Sequence, residues 1–241
     1  MKTTNLEEIK QMTKAVATIK PQPAGEGILS LFTIHPILHN NFWFEKMVAD
    51  GNNDTEAYSF DKPDIFTAWQ KDFNRRVDKC NDLGRLYMLW QDPYKMTFMK
   101  LCGDFLSPKD YAEYLTESWV TEENPNMDVN VSRREALKMF RKAKKHYLMD
   151  KEDLEYWKNL PETITVWRGV SKGRIDLGLS WTDDKSKAEW FRSRFVDAEN
   201  QGKLLEVTTS KSNVIAYFNT RGEQEILLDV FAVQNQIHVI E

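Results

Sequence analysis

In the first two-thirds of the chain, apolar positions recur at helical spacing. Leu6, Ile9, Met12 (or Thr13) and Val16 predict an amphipathic helix over residues 6–19, stopped by Pro21 and Pro23. An apolar segment, Ile28 to Phe44, comes next and is broken by Pro36. Within it His35 and His39 stand four apart, a spacing that metal ligands on a helix sometimes use. Pro36 between them, and the lack of a carboxylate before Glu45, make them core or interface histidines instead. Residues 49–59, with Gly51, Asn52, Asn53 and Asp54, read as a polar loop. From Pro63 to Trp90 the positions Ile65, Phe66, Trp69, Phe73, Val77 and Cys80 keep helical spacing, and their aromatics read as core rather than as a stacking platform.

Two helix starts come after these. Ser107 caps one, with Pro108 in its first turn. Ser132-Arg-Arg-Glu135 is a capping box, and the helix behind it buries Leu137, Phe140, Tyr147 and Leu148. Asp150 opens a further helix that carries Leu154 and Trp157 to Leu160-Pro161.

At Pro161 the character changes from helical spacing to short β-branched and apolar runs. Residues 164–166, 204–208, 214–218, 225–230 and 237–240 read as strands. One helix interrupts them, capped by Thr182 or Asp183, with Ala188, Phe191 and Phe195 as its buried face. Helices first and strands later predict an α+β architecture: a helical N-terminal two-thirds and then a compact β core. The division expected from the pattern is a helical region 1–125 and a second domain 126–241, itself helical over 126–160 and β over 161–241.

Composition narrows the function classes. The chain is 41% hydrophobic and 29% charged over 241 residues, enough apolar material for a packed core. Its net charge of −4 argues against a broad nucleic-acid surface, which wants a basic stripe. The local basic run Arg141-Lys142-Ala143-Lys144-Lys145 reads as the solvated face of a helix. Two cysteines, Cys80 and Cys102, without a CxxC pair, predict neither a disulfide framework nor a zinc site and suit a reducing cytosol. The N-terminus carries acids and lacks an apolar signal core, and no apolar run is long enough to span a bilayer. A soluble, cytoplasmic protein is expected.

The chemistry concentrates in three triplets beside strands: Trp167-Arg168-Gly169, Ser180-Trp181-Thr182 and Glu223-Gln224-Glu225. Strand alternation puts Ser180 and Thr182 on one face, and Glu223 and Glu225 on another. A guanidinium holds a pyrophosphate by charge-assisted, bidentate hydrogen bonds. Gly169 lacks a side chain, which lets a ligand approach the backbone. A carboxylate grips a ribose hydroxyl and stabilises an oxocarbenium ion, as in glycoside cleavage. The assembled reaction is rupture of an N-glycosidic bond in a dinucleotide.

The three triplets, in this order and in these strand contexts, resemble the R-S-E class of mono-ADP-ribosyltransferases. The resemblance covers about the last third of the chain, with the preceding helices standing for the family's helical lobe. It implies a fold of two short sheets packed across a cleft and NAD as co-substrate. It further implies that Arg168 holds the NAD phosphates or ribose and that Gly169 backbone groups hold the nicotinamide amide. Ser180 positions Glu225, and Thr182 supports the strand. Glu225 binds the 2′-hydroxyl of the nicotinamide ribose and stabilises the transition state, while Glu223 orients the acceptor. A Glu-x-Glu pair implies arginine on a target protein as acceptor, with Tyr217, Phe218, Arg221 and Glu223 facing that target. Trp181 departs from the pattern, since a small residue is usual there. An intracellular effector, of the kind carried by a phage or a bacterial genetic element, is the implied setting.

Each residue alone has a plainer role. Arg168 could form a structural ion pair, Ser180 and Thr182 could cap the helix after them, and the two glutamates could be the solvent face of an edge strand. The conjunction in one order carries the enzyme reading. Two alternatives stand beside it: an NAD glycohydrolase of the same fold, for which Glu223 has no use, and a non-enzymatic helical interaction protein with a scaffolding sheet.

Overall fold

The computed structural model describes residues 2–39, 43–47, 55–194 and 202–240, the side chains at 43–47, 55–58, 127 and 221 excepted. The chain divides into two units, Met1–Ser107 and Pro108–Glu241. The division falls earlier than residue 125 because the helix opening at Pro108 is tied to segments of the second unit. Its Thr116 hydroxyl donates to the Leu148 carbonyl at 2.7 Å, and its Trp119 indole donates to Glu225 at 2.7 Å.

In the N-terminal unit, helix α1 (Leu6–Val16) buries Ile9, Thr13 and Val16, on the face expected from the spacing. Short strands β1 (Gln22–Pro23) and β2 (Thr33–Ile34) pair, as do β3 (Trp43–Met47) and β4 (Thr55–Ser59). These two small sheets were not expected in a region read as helical. Half of the loop read over 49–59 is strand β4, and its residues 49–54 lie outside the described residues. Helices α2 (Pro63–Lys79), α3 (Leu83–Tyr87) and α4 (Lys95–Cys102) complete the unit. The helical pattern over 63–90 is interrupted at Cys80, whose backbone is extended, and Asp82 caps α3 through the Arg85 N–H.

The aromatics of α2 pack as core. Trp69 stacks on Phe66 at 5.8 Å and on Phe73 at 5.3 Å, beside the buried pair Leu38 and Phe60. His35 is fully buried and structural. Its Nδ1 accepts the N–H groups of Ile37 and Leu38, and its Nε2 lies 3.1 Å from the Ile19 carbonyl. No group of three or more metal-ligating side chains occurs among the described residues.

The C-terminal unit starts with helices α5 (Pro108–Val120), α6 (Arg133–Lys142), α7 (Lys145–Leu148) and α8 (Lys151–Asn159). The capping box at Ser132 and Glu135 is present, and Asp150 caps α8 through the Asp153 N–H. The helix expected to run to Leu148 is two, because Ala143 is extended between them. The basic run beneath them is only partly solvated: Lys145 donates to the Ile215 carbonyl at 2.6 Å and lies 4.0 Å over the Trp157 ring.

Six strands complete the unit: β5 (Thr163–Val170), β6 (Ser180–Thr182), β7 (Lys203–Ser210), β8 (Val214–Phe218), β9 (Glu225–Leu228) and β10 (His238–Val239). Between them lie α9 (Lys185–Ser193), after β6, and α10 (Val230–Val233), which ends the strand expected over 225–230. The fold is mixed α/β, and the described strands of this unit form one antiparallel sheet in the order β10-β7-β5-β6-β9-β8. Two separate sheets were expected. The structure joins the halves through a single residue pair, Trp167 with Thr182. On either side the ladders are longer: β5 pairs β7 over eight residues, and Ser180, Trp181 and Thr182 face Leu227, Ile226 and Glu225. Among the described residues no helix is long and apolar enough to cross a membrane.

Burial lowers the pKa of His35 to about 4. The unfolded chain, with an ordinary histidine near 6.5, binds the proton more tightly than the native state. Stability is therefore full above about pH 6.5 and falls by roughly 3 kcal/mol as the pH drops to about 4. Denaturant melts of the wild type and of His35→Gln across that range should show a steeper loss in the wild type.

Candidate active site

Three neighbouring strands bring the sequence-predicted triplets to one cleft. Its walls include Trp119, Asn126, Trp167, Arg168, Gly169, Ser180, Thr182, Phe191, Glu223 and Glu225. Arg168 comes from β5, Ser180 from β6 and Glu225 from the first position of β9.

Glu225 is the centre of this arrangement. Its Oε1 accepts the Trp119 indole N–H at 2.7 Å, and Ser180 supplies a second side-chain hydrogen bond. Burial still pushes its pKa above the usual carboxylate range. The hydrogen bonds of Ser180 and Trp119 oppose that rise, the neighbouring charge of Glu223 adds to it, and Arg168 counters it. Beside the Ser180 hydrogen bond stands a second donor, Trp119, that the sequence pattern does not single out. Its only signal was helical spacing with Tyr111 and Leu115, which marks a core position and nothing more.

Arg168 turns its fork onto backbone. Nη1 donates to the Ser180 carbonyl at 2.7 Å and Nη2 to the Ile175 carbonyl at 3.1 Å. Since β5 and β6 share only one residue pair, the guanidinium bridges the two strands where ladder bonds are missing. Burial lowers its pKa to about 10, with the charge of Glu225 pulling the other way. Its Nε is buried without a hydrogen-bond partner. Gly178 makes this seat: a Cβ there would lie 2.3 Å from Nη2.

Gly169 has a similar packing reason. A Cβ at this position would lie 1.9 Å from the Ala188 carbonyl oxygen, so helix α9 occupies the space that the sequence reading kept for a ligand. Thr182 is buried and its hydroxyl accepts the Asp184 N–H at 3.1 Å. The cap of α9 is neither Thr182 nor Asp183. It is Asp184, whose carboxylate accepts from Ser186 and Lys187. Phe195 lies outside the described residues. Trp181 is buried and its indole donates to the Gly178 carbonyl at 2.9 Å, so its bulk packs into the structure that seats Arg168.

Glu223 and Glu225 do not alternate along a strand. Glu223 comes after the 3₁₀ turn Thr220–Gly222 with a helical backbone, Gln224 adopts a left-handed φ of 51°, and only Glu225 is in β9. A left-handed Gln is strained backbone, and it turns the chain so that both carboxylates still line the cleft. The turn is held by the Asn219 N–H on Asp153 (3.2 Å to Oδ2) and by the Gln224 N–H on the Asn219 Oδ1 at 3.3 Å.

Two of the residues expected to face a target do not. All of β8 is buried. Tyr217 stacks on Tyr156 at 4.1 Å, and Phe218 packs against Phe140 at 6.2 Å. A strand covered on both faces has no surface to offer. The side chain of Arg221 is outside the described set. A residue that sequence reasoning passed over is Asn126, in the segment between α5 and α6. Its Oδ1 accepts the Leu179 N–H at 2.7 Å, and its Nδ2 lies 3.5 Å from the Ser180 hydroxyl.

The raised pKa of Glu225 has a stability consequence with a definite sign. The native state binds this proton more tightly than the unfolded chain, where a glutamate titrates at about 4.3. Its contribution is most favourable at low pH and is lost as the pH rises through the raised value. Glu225→Gln keeps an acceptor for Trp119 and removes the buried charge. The variant should melt at a higher temperature than the wild type at pH 7, and the gain should shrink at pH 4. Equal or lower melting at pH 7 would show that the ionised carboxylate is not destabilising.

Comparison of the chain with protein-family models, with curated proteins and with solved structures finds no match. The chemistry of the site rests on its own geometry.

Proposed function

We propose that the protein is a mono-ADP-ribosyltransferase that cleaves NAD and transfers ADP-ribose to a target protein, on arginine. The observation that supports this most is the convergence of Arg168, Ser180 and Glu225, from adjacent strands, on one cleft in which Glu225 is held by two donors. A carboxylate fixed by an indole N–H and a hydroxyl cannot swing away from a developing positive charge. Such preorganisation, in a place already withdrawn from water, is the main way that proteins stabilise charged transition states.

In this reading Glu225 accepts the 2′-hydroxyl of the nicotinamide ribose and faces C1′. As the C1′–N bond breaks, the bonding electrons return to the pyridinium ring nitrogen, nicotinamide leaves neutral, and the carboxylate offsets the charge left on the ribose. Glu223 receives the guanidinium of the acceptor, and its carboxylate takes the proton released as the new C1′–N bond forms. Trp167 and Phe191 offer aromatic wall to the bases. Arg168, with its fork on the carbonyls of Ile175 and Ser180, holds the β5–β6 junction that presents Ser180. It is thus a positioning residue as well as a candidate phosphate ligand.

One observation favours the alternative of NAD hydrolysis. Burial of Tyr217 and Phe218 removes part of the target-facing surface that transfer calls for. The two readings separate in one assay, in which the purified protein is incubated with labelled NAD and a cell lysate. Wild type should label a discrete protein band and release nicotinamide. Glu225→Gln should lose both signals by at least about a hundredfold, the size of a lost electrostatic contact to the transition state. Glu223→Gln should keep nicotinamide release and lose labelling. Release without labelling in the wild type would favour hydrolysis. Full labelling by both variants would refute the site.

A further inference from the structure

The mouth of the cleft carries a charge cluster outside the three triplets. Arg174, in the turn after β5, and Arg194, at the end of α9, both reach the same carboxylate oxygen of Glu123, at 3.2 and 3.4 Å. All three side chains line the cleft. They come from three separate segments: the stretch after α5, the β5–β6 connection and the end of α9. Arg174 is also close enough to Arg168 to depress its pKa. A run of interacting charges therefore extends from Glu225 through Arg168 and Arg174 to Glu123 and Arg194.

The strength of these contacts decides what the cluster can do. Glu123 is 56% exposed in its side chain, against 23% for Arg174 and 33% for Arg194. It meets both arginines through a single oxygen and in water, where an exposed ion pair contributes little. A diphosphate carries more charge and more oxygens, and binds guanidinium groups by paired, shorter hydrogen bonds. A diphosphate can therefore compete with the carboxylate for these two guanidinium groups. Arg168 is less able to make that exchange, since both ends of its fork are held by backbone carbonyls inside the fold.

We propose that Glu123 is an internal competitor that occupies Arg174 and Arg194, and that a diphosphate-bearing ligand enters the cleft by displacing it from them. The carboxylate sets the ligand affinity of the mouth and keeps two like charges together when no ligand is bound. The inference rests on the cleft being the ligand site proposed above, but not on any bond being cleaved there.

Inorganic pyrophosphate is the probe, titrated calorimetrically into the full-length protein at fixed ionic strength. It has no glycosidic bond, so its binding succeeds or fails independently of NAD cleavage. Glu123→Gln should bind pyrophosphate roughly three- to tenfold more tightly than the wild type, the equivalent of losing one or two exposed ion pairs. Glu123→Asp, which keeps the charge, should stay close to the wild type. The double variant Arg174→Gln/Arg194→Gln should lose at least about tenfold. All three side chains are partly exposed, and thermal melts verify that the variants fold. Unchanged or weaker binding by Glu123→Gln would overturn the proposal. So would wild-type affinity in the double variant, or no pyrophosphate binding by any form.

Discussion

A carboxylate drawn out of water needs donors, and much of the C-terminal unit is arranged to supply them to Glu225. The indole of Trp119 arrives from α5, the hydroxyl of Ser180 from β6 and the charge of Arg168 from β5. These donors do not fully offset burial, since the pKa remains raised. A fold tolerates such a residue at a cost in stability, and sites of this kind are where function is sought. The requirement also explains why α5 belongs with the sheet rather than with the helices before it.

Arg168 links this electrostatic centre to the architecture. The sheet is nearly cut between β5 and β6, where one residue pair joins the halves, and the guanidinium spans the gap through two backbone carbonyls. Its seat depends on the bare Gly178 and on Trp181, whose indole holds the Gly178 carbonyl. Gly169 lets α9 approach β5 at a distance that no side chain would permit. Residues first read for their use to a ligand thus work on packing and on the site together. The charge at the cleft mouth is more exposed than the charge within it, so in this account ligand capture falls to Arg174 and Arg194, and Arg168 holds the strand junction that presents Ser180.

The legible parts of the fold were those written in local pattern. The periodicity of Leu6 to Val16, the capping box at Ser132 and the centres of the strand runs of the last third appear where the sequence puts them, with the runs over 225–230 and 237–240 shorter than read. The convergence of Arg168, Ser180 and Glu225 on one cleft was also readable, because their strand contexts constrain which way they point. What local pattern could not carry was tertiary or came from backbone torsion. Trp119 looks like any core tryptophan until β9 is placed beside it. Gln224 has no glycine to announce its left-handed backbone, so Glu223 was read into a strand that begins two residues later. Tyr217 and Phe218 close an unbroken apolar run, Val214 to Phe218, which suits a strand buried on both faces, and helices pack against β8. Glu123 and Arg194 are ordinary surface charges in sequence, and only the fold makes them neighbours.

The central claim is that Glu225 faces the ribose of a bound dinucleotide. A crystal structure of the Glu225→Gln variant soaked with NAD tests it directly. The account predicts NAD in the cleft, with the 2′-oxygen of the nicotinamide ribose within hydrogen-bonding distance of the residue-225 side chain and the diphosphate at Arg174 and Arg194. NAD bound elsewhere, or a cleft whose residue 225 remains engaged only with Trp119 and Ser180 at saturating NAD, would contradict it.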